Sequence, residues 1–511
     1  MTQTAGPCTS SKFGGQVVDW NESREIGKPT MKHQRGNPVN RCPGRLPSPL
    51  SRRDMLRSTS NGFGTLALSA LMADWAGATE LTNNRFHFTP RAKNVIFLFM
   101  PGGVSHVDSF DLKPELARQH GKPVGNQSNK KSQSDGNRTW KESPWRFRTY
   151  GELGMPVSEL FPRIAGHVDD IAFIRSMVAE LPLHAAGNLF LHSGRLRAGS
   201  PSLGSWVDYG LGNENENLPG YVLLEGGTVP PGGRENFSNG YLPASHQATS
   251  IRAKGVPVAN IHPADTVAEV QRHKLRWLTE QDREFADTLG GSDLIESAIR
   301  NYELAYRMQF TVPDILDTSR ETASTLRLYG VDSDDEMMSS YALQCLRARR
   351  LIESGVRFVE ITANPLGISN GTWDQHSGLK KDHEINARVV DQPIAALLSD
   401  LQQRGMFEET LVLCAGEMGR TPHTGNGDGR DHHVSGFTVW MAGAGVRRGT
   451  IHGATDELGM NAVENITTVH DLHATMLHLL GLDHERLTYR YGGRDMSLTD
   501  IHGKIVDGIL S

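Results

Sequence analysis

Six short apolar runs recur along this chain of 511 residues: Asn94–Met100, Ile171–Arg175, Tyr221–Leu224, Arg357–Thr362, Thr410–Ala415 and Phe437–Ala442. Each is too short for a helix of the core and lacks polar alternation, so each reads as a strand buried on both faces. Helix-like segments such as Asn386–Gln403 and Thr467–Leu480 lie between several of them. Strands alternating with helices predict an α/β fold, a doubly wound and mostly parallel sheet flanked by helices. In such sheets chemistry collects in the loops beyond the carboxyl ends of the strands. The region Ala264–Arg349 departs from the alternation and predicts a helix-rich insertion, with Asp293-Leu294-Ile295-Glu296 shaped like a capping box. Residues Gly121–Ser143 are polar, with almost no aliphatic side chains, and read as a flexible surface insertion.

Charge and hydropathy exclude several classes. The net charge is −5, and no Lys/Arg stripe dominates the later chain, which argues against a dedicated nucleic-acid binder. No run of about 18 apolar residues is present, so no stable membrane span is expected. Near the start, Lys32, Arg35, Arg41, Arg45, Arg52, Arg53 and Arg57 face a single Asp54, and an apolar, small-residue stretch from Gly62 to Ala73 precedes Ala76-Gly77-Ala78. A basic region, an apolar run and a small-residue exit make an export leader over residues 1–78. Ser51-Arg52-Arg53-Asp54-Met55-Leu56 resembles the twin-arginine consensus, with Met55 in the usual Phe place. The alternative is an amphipathic helix after a disordered tail. Loss of the leader leaves 43 basic and 53 acidic residues, a net charge of −10 on 79–511, and only Cys345 and Cys414. Two cysteines give no disulfide framework and no cysteine-rich zinc site, and at most one Cys345–Cys414 bridge.

Candidate chemistry gathers late in the chain. Ten of the 21 histidines lie between Gly371 and His484, several beside carboxylates: Trp373-Asp374-Gln375-His376, Asp382-His383 and Arg430-Asp431-His432-His433. Glu417 follows the fifth apolar run. Imidazole and carboxylate are the donors that Zn or Mn takes when thiolates are absent. The bland reading is that these groups satisfy one another in loops. Asp374 and His376, two apart, share a face of an extended segment. Asp108 and Asp111 follow the first strand's loop and either serve a second ion or cap the next helix. Arg420 either clamps an oxyanion through its planar fork or pairs with a carboxylate. His470 and His473 sit one turn apart on the last helix, off its apolar stripe, and read as a polar helix edge.

Ordered motifs carry a resemblance. They are Gly102-Gly103-x-x-x-x-Asp108-x-Phe110-Asp111-x-Lys113, Pro201-Ser202-Leu203-Gly204-Ser205-Trp206, Trp373-Asp374-x-His376, Glu417-Met418-Gly419-Arg420-Thr421-Pro422 and Gly429-Arg430-Asp431-His432. Val469-His470-Asp471-Leu472-His473-Ala474-Thr475 and Leu487-Thr488-Tyr489-Arg490-Tyr491 complete the set. From about Lys93 to the end the chain resembles an exported domain-of-unknown-function family with the signature EFGRTP, itself similar to the alkaline phosphatase/sulfatase superfamily. That resemblance implies an alkaline-phosphatase-like fold and two metals beside a nucleophile. It makes Asp374, His376 and His432 ligands of one ion and puts Glu417 where the superfamily often has an Asp-His pair; the leading expectation adds His383 as a candidate fourth ligand, with Glu417 and Asp108 holding or approaching a second ion. His184-Ala185-Ala186-Gly187-Asn188 is similar to the sulfatase segment that holds the modified nucleophile, with His184 in the nucleophile's place. Met418 stands where the superfamily often has His, and Met100-Pro101-Gly102 where sulfatases carry consecutive aspartates.

The expectation is an exported, periplasmic or extracellular hydrolase of phosphate or sulfate esters that depends on a divalent metal. Arg420 would stabilise charge on the transferring group, and either activated water or His184, as nucleophile or general base, would attack. Its partners would be a small-molecule or glycan anionic ester and the twin-arginine export machinery. The competing expectation is a non-catalytic binder of glycans or other anions on the same scaffold.

Overall fold

The structure is a computed structural model that describes residues 86–125, 138–253, 255–259, 261, 268–363, 372–425 and 427–511. The expected leader 1–78 and residues 126–137 of the polar insertion lie outside the described residues.

The central sheet is built on β1 (Asn94–Phe99), whose every residue is buried. Two further strands pair with it in parallel, β5 (Phe358–Thr362) on one side and β6 (Thr410–Ala415) on the other. Beyond β5 lie β3 (Tyr221–Glu225) and β4 (Thr249–Arg252), again parallel. On the other side β9 (Phe437–Gly443) pairs antiparallel with both β6 and β2 (Ile171–Val178). Short strands β10 (Thr450–His452) and β11 (Thr467–Thr468) add in parallel to β2. The order is β10-β2-β9-β6-β1-β5-β3-β4, and β9 is the strand that runs against the rest. A separate two-stranded ribbon, β7 (Gly419–Thr424) with β8 (Arg430–His433), joins β6 to β9.

Burial on both faces follows from the two-residue period of a strand. Val95, Phe97 and Phe99 enter one core, with α1 (His184–Ser193), α2 (Leu203–Leu211) and α8 (Val469–Leu479). Ile96, Leu98 and Met100 enter the other, with α6 (Glu336–Glu353) and α7 (Leu379–Gln403). The sheet is therefore wound on both sides. Replacing Leu98 by Ala removes buried methyl groups from a site walled by strands and helices, so we expect a loss of about 2–5 kcal/mol. Guanidinium unfolding should show a lower midpoint at unchanged slope.

Four helices run from Ala268 to Glu353: α3 (Ala268–Thr288), α4 (Asp293–Leu316), α5 (Ala323–Tyr329) and α6. The capping box expected at Asp293 does not form: Ser292 is the N-cap of α4 and makes no side-chain cap bond. A reciprocal box forms instead at α8, between Thr468 and Asp471. Cys345 and Cys414 are both free, so no bridge links them. Among the described residues no helix is long and apolar enough to cross a membrane.

Candidate metal centre

Loops after β1, β2, β5 and β6 meet at one end of the sheet, as strand polarity requires. The β1 loop turns through Gly102 and Gly103, both with positive φ (104° and 81°). A Cβ on Gly102 would lie 2.6 Å from the backbone nitrogens of Trp373 and Asp374, and one on Gly103 would lie 2.7 Å from the Met418 carbonyl. Only glycines let the three loops approach this closely.

Four side chains converge there. His184 opens α1, Asp374 and His376 lie on the loop before α7, and His432 lies on β8 opposite Arg420 of β7. Asp374 Oδ2 is 3.2 Å from His184 Nε2, while Asp374 Oδ1 is 3.2 Å from His376 Nε2 and 3.3 Å from His432 Nε2. His184, Asp374 and His432 each offer one donor atom within 4.8 Å of the other two. His376 Nε2 stands 3.0 Å from His432 Nε2. The buried His184 Nε2 makes no hydrogen bond.

Each imidazole is held by its other nitrogen. His184 Nδ1 donates to Glu417 Oε1 at 2.6 Å, His376 Nδ1 to Asp431 Oδ1 at 3.0 Å and His432 Nδ1 to the Pro182 carbonyl at 2.8 Å. A carbonyl or an ionised carboxylate can only accept, so Nδ1 carries the hydrogen in all three rings. In the neutral rings the Nε2 lone pairs then face one another and the Asp374 carboxylate. Such an array needs a positive charge at its centre, a proton or a cation. Outer partners of this kind fix ring orientation and tautomer around bound metals.

The electrostatics agree. Burial alone would raise the Asp374 carboxyl, but the three imidazoles beside it and the Arg420 charge outweigh it and hold the group well below the usual carboxylate range. Burial opposes protonation of His184, yet Asp374 and Glu417 raise it to about 9. Asp374 and Asp431 likewise lift His376 to about 9 against a smaller burial effect. His432 is lowered, chiefly by burial, with the Arg420 charge adding to it. Without metal, protons therefore occupy the ring nitrogens of His184 and His376.

Several expected residues are placed elsewhere. Arg420 is fully buried and donates to Asp374 Oδ1 at 2.6 Å, to the Gly102 carbonyl, to the Gly103 carbonyl at 3.3 Å and to the Arg430 carbonyl at 3.3 Å. It positions Asp374 and presents no free fork to an oxyanion. Asp108 is also fully buried, bound by Arg430 Nε at 2.6 Å and Nη2 at 2.9 Å, with Ser105 Oγ at 2.6 Å. It neither caps a helix nor joins the cluster. Asp111 pairs with Lys113 at 3.0 Å.

Glu417 accepts from the Gly102 N–H as well as from His184, so it supports a donor rather than serving a second ion. His383 sits between Trp145 and Trp373 with both ring nitrogens unpartnered, and it does not join the converging donors. His184 stands among those donors rather than opposite them as a separate nucleophile. His470 stacks on His502 and His473 donates to the Leu191 carbonyl, which are structural roles. Arg430 stood in the sequence motifs without a role of its own, and Pro182 was not singled out by sequence reasoning. Arg430 could have been found as a second arginine beside the histidine motif, whereas a carbonyl partner leaves no sequence signal.

α1 is itself pinned. His192, two turns beyond His184, contacts Glu360 of β5 at 2.8 Å, and Glu360 accepts from Tyr221 Oη at 2.7 Å. This buried network ties the His184 helix to the sheet.

A family model matches residues 92–510, nearly all of the described region. The chain belongs to the family described as protein of unknown function (DUF1501). No curated protein matches it significantly. Among solved structures it is similar to a sulfatase from Pseudoalteromonas sp., at 12% identity over 76% of this chain and 68% of that one, with a TM-score of 0.34. It is also similar to the phosphonate monoester hydrolase of Silicibacter pomeroyi (10% identity, 76% and 73% coverage, TM-score 0.30). A third is the alkaline phosphatase of the Antarctic bacterium TAB5 (10% identity, 77% and 98% coverage, TM-score 0.29). At these scores the likenesses add nothing to the topology read from the strand pairings.

Proposed function

We propose that this member of the family is an exported, metal-dependent hydrolase of anionic esters, phosphate or sulfate, acting in the periplasm or outside the cell after passage through the twin-arginine machinery. One observation carries the metal reading: three imidazoles, each anchored through Nδ1 to an acceptor, aim Nε2 at one carboxylate. His184, Asp374, His376 and His432 would hold the ion, and nitrogen-rich donors of this kind suit Zn or Mn better than Mg or Ca. When bound, such a cation polarises an ester oxygen and lowers the pKa of water. Glu417, Asp431 and Pro182 hold the three rings in register, and Arg420 keeps the Asp374 carboxylate turned to the centre. Partial exposure of His376 and Asp374 leaves the cluster open to a small-molecule or glycan ester.

A non-catalytic anion or glycan binder is the second reading. It is favoured by one observation, that His184 stands inside the donor cluster, with Nδ1 on Glu417 and Nε2 facing Asp374, and offers no separate nucleophile. The test is elemental analysis of the purified mature chain after exposure to Zn or Mn, followed by a panel of phosphate and sulfate esters. We expect retained metal and turnover that chelation abolishes. Retained metal with tight glycan binding and no turnover would favour the binder, and no retained metal would sink the metal-dependent hydrolase.

A further inference from the structure

The sequence pattern offered carboxylates for two ions, Asp108 and Glu417 being assigned to the second. Their surroundings argue otherwise. A hard or borderline cation needs carboxylate lone pairs that are not already committed. Asp108 is taken on both oxygens by Arg430, with Ser105 adding a bond to Oδ2. Glu417 is taken by the Gly102 N–H on both oxygens and by His184 on one. Asp431 accepts from His376 and lies 3.8 Å from Arg138. Asp374 receives Arg420 on Oδ1, yet its carboxylate also faces the Nε2 atoms of His184, His376 and His432.

Charge points the same way. The four carboxylates Asp108, Asp374, Glu417 and Asp431 stand against Arg420, Arg430 and Arg138, which leaves one negative charge before any histidine is protonated. One divalent cation reverses that sign; two would leave three positive charges in a largely buried space, a costly arrangement. His383 does not rescue a second site. Its ring lies against Trp145 and Trp373 with both nitrogens unpartnered, and the charges that act on it are three cations, Arg420, Arg430 and Lys141, against Asp108, which is already paired.

We infer that the centre takes a single divalent cation, because Arg430 already occupies Asp108, and the Gly102 N–H with His184 already occupies Glu417, the two carboxylates that a second ion would need. This rests on the metal reading above and deepens it. The full mature chain would be titrated with Zn²⁺ and, separately, Mn²⁺ by calorimetry, then desalted and assayed for metal per chain by mass spectrometry. The expected result is one ion per chain, falling to none in His432→Gln with the fold retained by circular dichroism. Two ions per chain would overturn this inference and leave the metal reading standing. No ion would overturn both. One ion that persists in His432→Gln would place it elsewhere and would also overturn the inference.

Discussion

Asp374→Asn and His432→Gln each lower metal affinity by at least about 100-fold, the upper end of what changes outside the ligand shell cost around bound metals. Asp374 is the residue on which all three imidazoles and Arg420 converge, so its charge organises the centre. The asparagine can still accept from Arg420 but no longer neutralises it, and part of the loss will appear as reduced stability because Arg420 is fully buried. His432→Gln leaves that pair intact and separates the two effects. Glu417→Gln, which acts on His184 from behind, should cost about 10–100-fold. Isothermal titration with Zn²⁺ on folded protein measures all three. Wild-type affinity in either Asp374→Asn or His432→Gln would refute the assignment of ligands.

Metal-free protein should be most stable near pH 6.5 and should weaken on both sides. His383, His433 and His473 are each fully buried, and burial, the largest cause, holds all three near 3. Charges of Arg420 and Arg430 add to it at His383, and neighbouring histidines add to it at the other two. The folded pKa lies below the unfolded value of about 6.5, so the unfolded chain binds more protons as acid is added. Their contribution is complete above about 6.5 and is lost as pH falls toward 3, at up to about 1.4 kcal/mol per pH unit for each histidine. Together they approach about 4 kcal/mol per unit, a steep loss that begins well above the carboxylate range.

His184 and His376 act with the opposite sign. Their folded values of about 9 lie above the unfolded one, so their contribution is complete below about 6.5 and is lost as pH rises through 9. Thermal melts from pH 4 to 10 in the presence of chelator test this. A flat melting temperature between pH 4 and 6.5 would refute the acid arm, and His473→Gln should make its slope shallower.

The doubly wound sheet was legible because its strands are buried on both faces. Runs such as Thr410–Ala415 carry no polar alternation, and the observed β6 has those bounds. The direction of β9 was not legible, since an apolar run looks the same whichever way it pairs. The ribbon of β7 and β8 was hidden for another reason: Gly419, Pro422 and the charged residues of Arg430–His433 read as loop, and only burial among neighbouring loops makes them strands. Within the centre, residue types announced Asp374, His376 and His432. They could not tell donors from supports, because Glu417 and Asp108 carry the same chemical group as Asp374. What separates them is which oxygens Gly102 and Arg430 already occupy, a fact of packing rather than of composition. His184 was noticed for a likeness to a nucleophile segment, and its pairing with Glu417, 233 positions away, has no local trace.

The dispersal of the donors has a thermodynamic consequence. His184, Asp374, His376 and His432 span almost half of the chain, and no excised fragment with one strand and its loop holds more than two of them. An ion bound by all four thus recognises the native state and finds no equivalent in the denatured ensemble. By mass action, free metal at 100 times its dissociation constant would add about 2.7 kcal/mol to global stability. The end of the sheet that gathers these loops would then act as a clasp for the whole molecule.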